Sequence, residues 1–178
     1  MTEIAISGVT IELKRGDIAN QPDLEAVVNA ANAELRIGGG VAGAIHRAAG
    51  PELTEETRSM APIEPGQAVI SGAHDLPNDY IIHCLGPVYG RDKPEDKLLA
   101  SCYLNALDLA EDHQIEQIAF PAISTGAFGY PMEDAAQIAF QTIQEKVVDL
   151  EYVKLIRFVL WSEGDIAVHK DVMEEVFK

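Results

Sequence analysis

Cysteine is nearly absent: Cys84 and Cys102 are the only two in 178 residues. Neither sits in a Cys-x-x-Cys or Cys/His spacing, which excludes a disulfide scaffold and offers no zinc or dithiol-redox motif. Two buried, reduced thiols are the expected arrangement. Positive charge is scarce as well. Thirteen Lys and Arg stand against 29 Asp and Glu, a net charge of −16 with a pI near 4.5. Binding to nucleic-acid duplexes or anionic membranes needs basic patches, so neither partner is expected. No apolar run approaches the ~20 residues that span a bilayer. The opening segment MTEIAISG lacks a basic region followed by a long apolar one, so no signal peptide is read and a cytoplasmic setting is expected. Gly-Lys-Ser/Thr does not occur, which removes a P-loop. No nucleophile has a recognisable activating context, and no acidic pair has metal-ligand spacing, so no metal or cofactor is implied.

What is present is globular. Hydrophobic residues make up 47% and mean hydropathy is near zero, with no internal repeat or low-complexity stretch. One domain over residues 1–178 is expected, large enough to bury a core without disulfides. Short β-prone runs lie at 4–6 and 9–14, then at 26–28, 67–73, 80–85, 118–123 and 155–161. Helical periodicity marks 41–49, 52–60, 95–113 and 133–148, with a final helix opening at Asp165 and turning Val168, Val172 and Val176 inward. Strands alternating with amphipathic helices give an α/β protein, a three-layer α/β/α sandwich around a central mixed sheet.

Two glycine-bearing loops carry the chemistry. The first follows the strand at Ala26, Val27 and Val28: an Asn-Ala-Ala-Asn turn, then Gly38, Gly39 and Gly40, then the helix from Val41. Glycines ahead of a helix let the backbone approach a ligand, and the helix's first N–H groups face it with partial positive charge, which makes an anion site. The second, Ser124-Thr125-Gly126-Ala127-Phe128-Gly129, follows the strand ending IAFPAI. Two such loops suit a ligand with two linked phosphates, gripped from each side beyond the carboxyl ends of the strands. With so few cations, backbone N–H groups are expected to hold it. Gly38-x-Gly40-x-x-Gly43 formally matches a dinucleotide fingerprint, but residues 29–37 separate it from its strand and no acidic strand end answers it.

Taken in order, Gly16-Asp17-Ile18, Val28-Asn29-Ala30-Ala31-Asn32, Gly38-Gly39-Gly40-Val41-Ala42-Gly43, His83-Cys84-Leu85-Gly86-Pro87, Phe120-Pro121-Ala122-Ile123-Ser124-Thr125-Gly126 and a late strand ending at Trp161 resemble the macrodomains, the ADP-ribose-binding modules, over nearly the whole chain. The resemblance implies that Asp17 accepts a hydrogen bond from the adenine amino group beside Ile18. It implies that Trp161 stacks on the base, worth ~1–3 kcal/mol. The backbones of Gly38, Gly39, Gly40, Val41 and Ala42 and of Ser124, Thr125, Gly126 and Ala127 would hold the diphosphate. Phe128 would cover the distal ribose, and Asn32 would contact that ribose beside the reactive carbon. Asn29 reads as structural support, and Asn32 could equally stabilise its own turn.

Two functions follow from the resemblance. One is a hydrolase of ester-linked ADP-ribose: mono-ADP-ribosylated Asp or Glu, O-acyl-ADP-ribose or ADP-ribose 1″-phosphate, with Asn32 positioning water. The alternative is a non-catalytic reader of ADP-ribose or of ADP-ribosylated protein. Many hydrolytic members have Asp after Gly-Gly-Val, where this chain has Ala42; others have His before the glycines, where it has Ile37. A free-standing, monomeric hydrolase is the expectation.

Overall fold

The computed structural model describes residues 2–178. Seven strands form one sheet: β1 (Glu3–Ile6), β2 (Val9–Arg15), β3 (Ala26–Ala30), β4 (Ala68–Gly72), β5 (Tyr80–Cys84), β6 (Gln117–Phe120) and β7 (Leu155–Leu160), in the spatial order β1-β2-β7-β6-β3-β5-β4. The inner five run parallel. Both edges are antiparallel: β1 folds back on β2 through Ser7 and Gly8, both at positive φ, and β4 folds back on β5. The mixed sheet was expected from the first hairpin; the second antiparallel edge adds to it.

Side-chain alternation builds the other two layers. Ala26, Val28, Ile82, Cys84, Ile118, Phe120, Ile156 and Phe158 point to one face. There they pack on α3 (Glu95–Asp112), α4 (Met132–Lys146) and α5 (Glu163–Val176). Val27, Ile81, Ala119 and Val159 point to the other and meet α1 (Gly40–Ala49) and α2 (Glu52–Thr57). Period-two burial on both faces produces the three-layer α/β/α sandwich.

Several boundaries differ from expectation for local reasons. β6 stops at Phe120, because Pro121 has no N–H to continue the ladder. The segment after Gly50-Pro51 is only six helical residues followed by a 3-10 turn at Arg58–Met60, and it buries Leu53 and Thr57. The helix expected at 133–148 ends at Lys146, with a 3-10 turn beyond. Asp165 does not open α5: Ser162 does, its hydroxyl accepting from the Asp165 N–H at 3.1 Å. In α5 the buried positions are His169, Val172 and Met173, with Val176 packed against the same core as expected, while Val168 is half-buried and outside it.

On the α1/α2 face, beyond the cover of those helices, the sheet carries a buried cation. Arg157 on β7 donates to Glu12 on β2 at 2.6 Å, to both oxygens of Asp23 at 2.9 and 2.7 Å, and to Gln21 at 2.8 Å. Asp23 is held well below the usual carboxylate range, at about 2, chiefly by its hydrogen bond to Arg157. The 17–24 loop is thereby tied down over the end of the sheet.

Candidate functional site

All five parallel strands point the same way, and the residues after their carboxyl ends line a cleft: Gly16 after β2, Ala31 after β3, Gly86 after β5, Pro121 after β6 and Trp161 after β7. Open α/β sheets bind ligands at this edge. The cleft has two lobes, of about 610 Å³ and about 290 Å³, joined through Gly40, Val41, Ala122 and Gly126.

The larger lobe holds Asp17, Ile18, Thr125 and Trp161. Asp17 closes a tight turn, its Oδ1 accepting from the Ala19 N–H at 2.9 Å, while Oδ2 has no protein partner. The Gln21 amide donates to the Asp17 carbonyl at 2.8 Å, so Arg157 reaches this turn through Gln21. Ile18 is buried, whereas Trp161 is 78% exposed. A large apolar ring left in solvent beside a cleft suits a stacking ligand.

The smaller lobe holds Asn32, Gly39, Ala42, Ser124, Ala127 and Phe128. Asn32 is braced on its own loop: its amide donates to the Arg36 carbonyl at 2.6 Å and its Oδ1 accepts from the Arg36 N–H at 3.2 Å. One N–H and one lone pair of the side chain remain. Phe128 rests on a small apolar cluster of Ala31, Leu35, Ile63 and Leu85, presenting its remaining surface to the cleft. Asn32 and Ser124 are the only polar side chains in this lobe.

Between the lobes stands the N-terminus of α1. The first helical bond here is from the Gly43 N–H to the Gly39 carbonyl, so the N–H groups of Gly40, Val41 and Ala42 have no protein acceptor. No side chain caps them, and among the described residues α1 is the one α-helix without an acid in its first turn; α2, α3, α4 and α5 each carry at least one. In a chain with 29 acids this leaves the positive end of one dipole open toward the cleft. Opposite it, the loop after β6 is pinned by bonds from Thr125 Oγ1 to the Ala122 carbonyl (2.7 Å), from Tyr130 N–H to the Ser124 carbonyl (2.9 Å) and from Gly129 N–H to the Gly126 carbonyl (3.0 Å). The N–H groups of Gly126, Ala127 and Phe128 donate to nothing in the protein. Ser124 has φ +68, and its buried hydroxyl has no partner.

Of the residues expected to contact the ligand, only Gly38 does not line the cleft. A Cβ there would sit 3.0 Å from Asn32 Nδ2, so Gly38 lets the Asn32 loop close. Three contributors escaped sequence reasoning. Arg47 brings one cation to the larger lobe. Its signal was helical spacing from Gly40 through Ala44, which puts all three on one face. Gly86 carries no local signal of its role: a Cβ there would collide with Ser124 Oγ. Asp165, expected as a cap, lines the larger lobe instead.

Beneath α1 lies a buried polar patch. His83 accepts from the Asn29 amide at Nδ1 (3.1 Å) and donates from Nε2 to Ser71 Oγ (2.8 Å), which donates to the Gly72 carbonyl (3.0 Å). Burial, with a smaller push from His46, lowers its pKa to about 3, so the ring is neutral. Asn29 is thus structural support, and both cysteines are free and buried.

Residues 28–139 match the family model for the Macro domain. The chain is 45% identical over 167 residues to a macro domain-containing protein of Methanosarcina mazei, covering 93% of this chain and 89% of that one. It is 43% identical over 172 residues to human ADP-ribose glycohydrolase MACROD2, covering 94% of this chain and 40% of that protein. Among solved structures, a mutant macrodomain of Oceanobacillus iheyensis with ADPR superposes with a TM-score of 0.93 at 37% identity, covering 98% of this chain and 97% of the other.

Proposed function

The chain belongs to the macro domain family, and from that premise we propose that it binds ADP-ribose in this cleft and hydrolyses its ester conjugates. One observation carries the binding half: an uncapped, acid-free helix N-terminus facing a second loop of free N–H groups, in a protein otherwise saturated with carboxylates. Such a pair matches a diphosphate. The adenine would lie between Ile18 and Trp161 with its amino group toward Asp17, and the distal ribose against Phe128 and Asn32.

The hydrolytic half rests on what surrounds the distal ribose. That lobe offers Asn32 and Ser124 and no carboxylate or imidazole, so a protein general base is not at hand. The base would be a diphosphate oxygen of the substrate itself, held by the two loops. It would take a proton as water attacks the ester and the carboxylate leaves, with geometry rather than acid–base strength supplying the rate. The same poverty of polar groups favours the reader alternative.

A protein mono-ADP-ribosylated on glutamate separates the two readings. Release of label by the wild type but not by Gly39→Glu supports the hydrolase. Position 39 has open space around a Cβ and φ −86, so the variant keeps its fold while placing a carboxylate in the cleft. No release, with free ADP-ribose still bound by calorimetry, makes the protein a reader. Absence of binding overturns both.

A further inference from the structure

On the far side of the loop after β6 is a second cavity, of about 310 Å³, lined by Tyr89, Glu95, Asp96, Tyr130, Asp134, Gln137, Ile138 and Gln141. It lies within the roughly 300–1,000 Å³ of small-ligand pockets. Three carboxylates line it, and no Lys or Arg does. Helix dipoles explain acids at these positions, since Glu95 and Asp96 open α3 and Asp134 is in the first turn of α4. They do not explain the rest. Tyr130 is only 5% exposed, yet its hydroxyl has no hydrogen-bond partner. Glu95 Oε2 is shielded from solvent and also unpartnered. Buried polar atoms are normally paired, so the Glu95 orphan beside an unpartnered tyrosine hydroxyl at one cavity points to a missing donor. Burial, and then Asp96, Glu95, Tyr89 and Asp134, push the Tyr130 hydroxyl up to about 12, so it is neutral. The Tyr89 and Tyr130 rings, 4.8 Å apart, form an aromatic wall.

We infer that this cavity is a second binding site, for an organic cation bearing N–H groups: an ammonium or a guanidinium. Carboxylates, the Gln137 and Gln141 carbonyls and the Tyr130 oxygen are acceptors for such a donor, and tyrosine faces attract its charge. A bare metal ion fits poorly: among the described residues no three acidic, His or Cys side chains are grouped to hold one. The site is physically joined to the cleft, because the Tyr89 N–H donates to the Phe128 carbonyl and the Tyr130 N–H to the Ser124 carbonyl, both at 2.9 Å. The inference is independent of the reading above, no part of which uses this cavity.

The test is an amide-resolved NMR titration of the full chain at 150 mM NaCl (an ionic strength at which diffuse surface attraction is screened). The probes are 1,5-diaminopentane and Nα-acetyl-lysine methylamide. Saturating shifts confined to Tyr89, Tyr130, Gln137 and Gln141 are expected, at least tenfold weaker in the near-isosteric Glu95→Gln/Asp134→Asn variant. Tighter binding of the diamine would identify a free polyamine as the source; tighter binding of the blocked lysine would identify the side chain of a bound polypeptide. Gln137 is exposed on α4, so Gln137→Lys should fold and fill the site with its own ammonium, abolishing both responses even if the double variant misfolds. Shifts that spread over the acidic surface without saturating, or that persist unchanged in Gln137→Lys, would overturn the assignment.

Discussion

Two side chains in the cleft are each committed to the protein before any ligand arrives, and this shapes what their removal does. Asp17 spends one oxygen on the Ala19 N–H and leaves the other without a protein partner. Asp17→Ala is expected to weaken ADP-ribose binding by ~1–3 kcal/mol; an unchanged dissociation constant by calorimetry would dispose of its role with adenine. Asn32 holds both backbone groups of Arg36 and has one N–H and one lone pair left. If those position water, Asn32→Ala lowers kcat more than it raises KM. An equal effect on both would leave Asn32 as a loop brace that touches substrate. That bracing role was open in the sequence, since Asn in a turn commonly bonds nearby backbone. What the sequence could not display was Gly86 making room for Ser124, a contact between residues 38 positions apart with no periodic signature.

Among the elements, β7 and the 17–24 loop are joined through Arg157. Arg157→Ala would strand Glu12 and Asp23 beside a buried gap, and about 2–4 kcal/mol of stability should be lost. The figure is discounted from a fully buried pair because the Asp23 side chain is 58% exposed. Urea denaturation should show a lower midpoint at an unchanged slope. ADP-ribose affinity should fall with it, since Gln21 links Arg157 to the Asp17 turn. Element types were legible wherever burial followed a clean period: the apolar runs of β3 and β5, and the stripe Leu99, Cys102, Tyr103, Ala106 and Ala110 on α3. Ends were less so. Ser162 outcompeted Asp165 for the cap of α5 by lying one residue before the helix, a choice that two capping residues in close succession do not reveal. Arg157 was illegible for a different reason, its partners lying 134 to 145 residues away.

For the whole molecule, acid is the sharpest probe. His83, held neutral with its pKa lowered to about 3, is joined by His46 and His169, both also lowered by burial. The unfolded chain binds these protons near pH 6.5 and the native one does not. Their contribution is therefore fully present above about pH 6.5 and is lost as pH falls from there toward 3, at a cost on the order of a few kcal/mol. Melting temperature should drop measurably between pH 7.5 and pH 5, well before most carboxylates titrate and relax the −16 charge; a flat profile over that range would contradict the buried neutral histidines. At pH 7.5 added salt should raise the melting temperature by screening that charge.

The grip on the diphosphate would come from main-chain N–H groups at Gly40 to Ala42 and Gly126 to Phe128. Such donors cannot be acetylated, oxidised or deprotonated at any physiological pH, and among single substitutions only one to proline deletes an N–H. Affinity at this centre is therefore robust to chemical damage and to mutational drift, so long as the two loops keep their shape. Tuning of preference among conjugates is left to the few side chains around the rim.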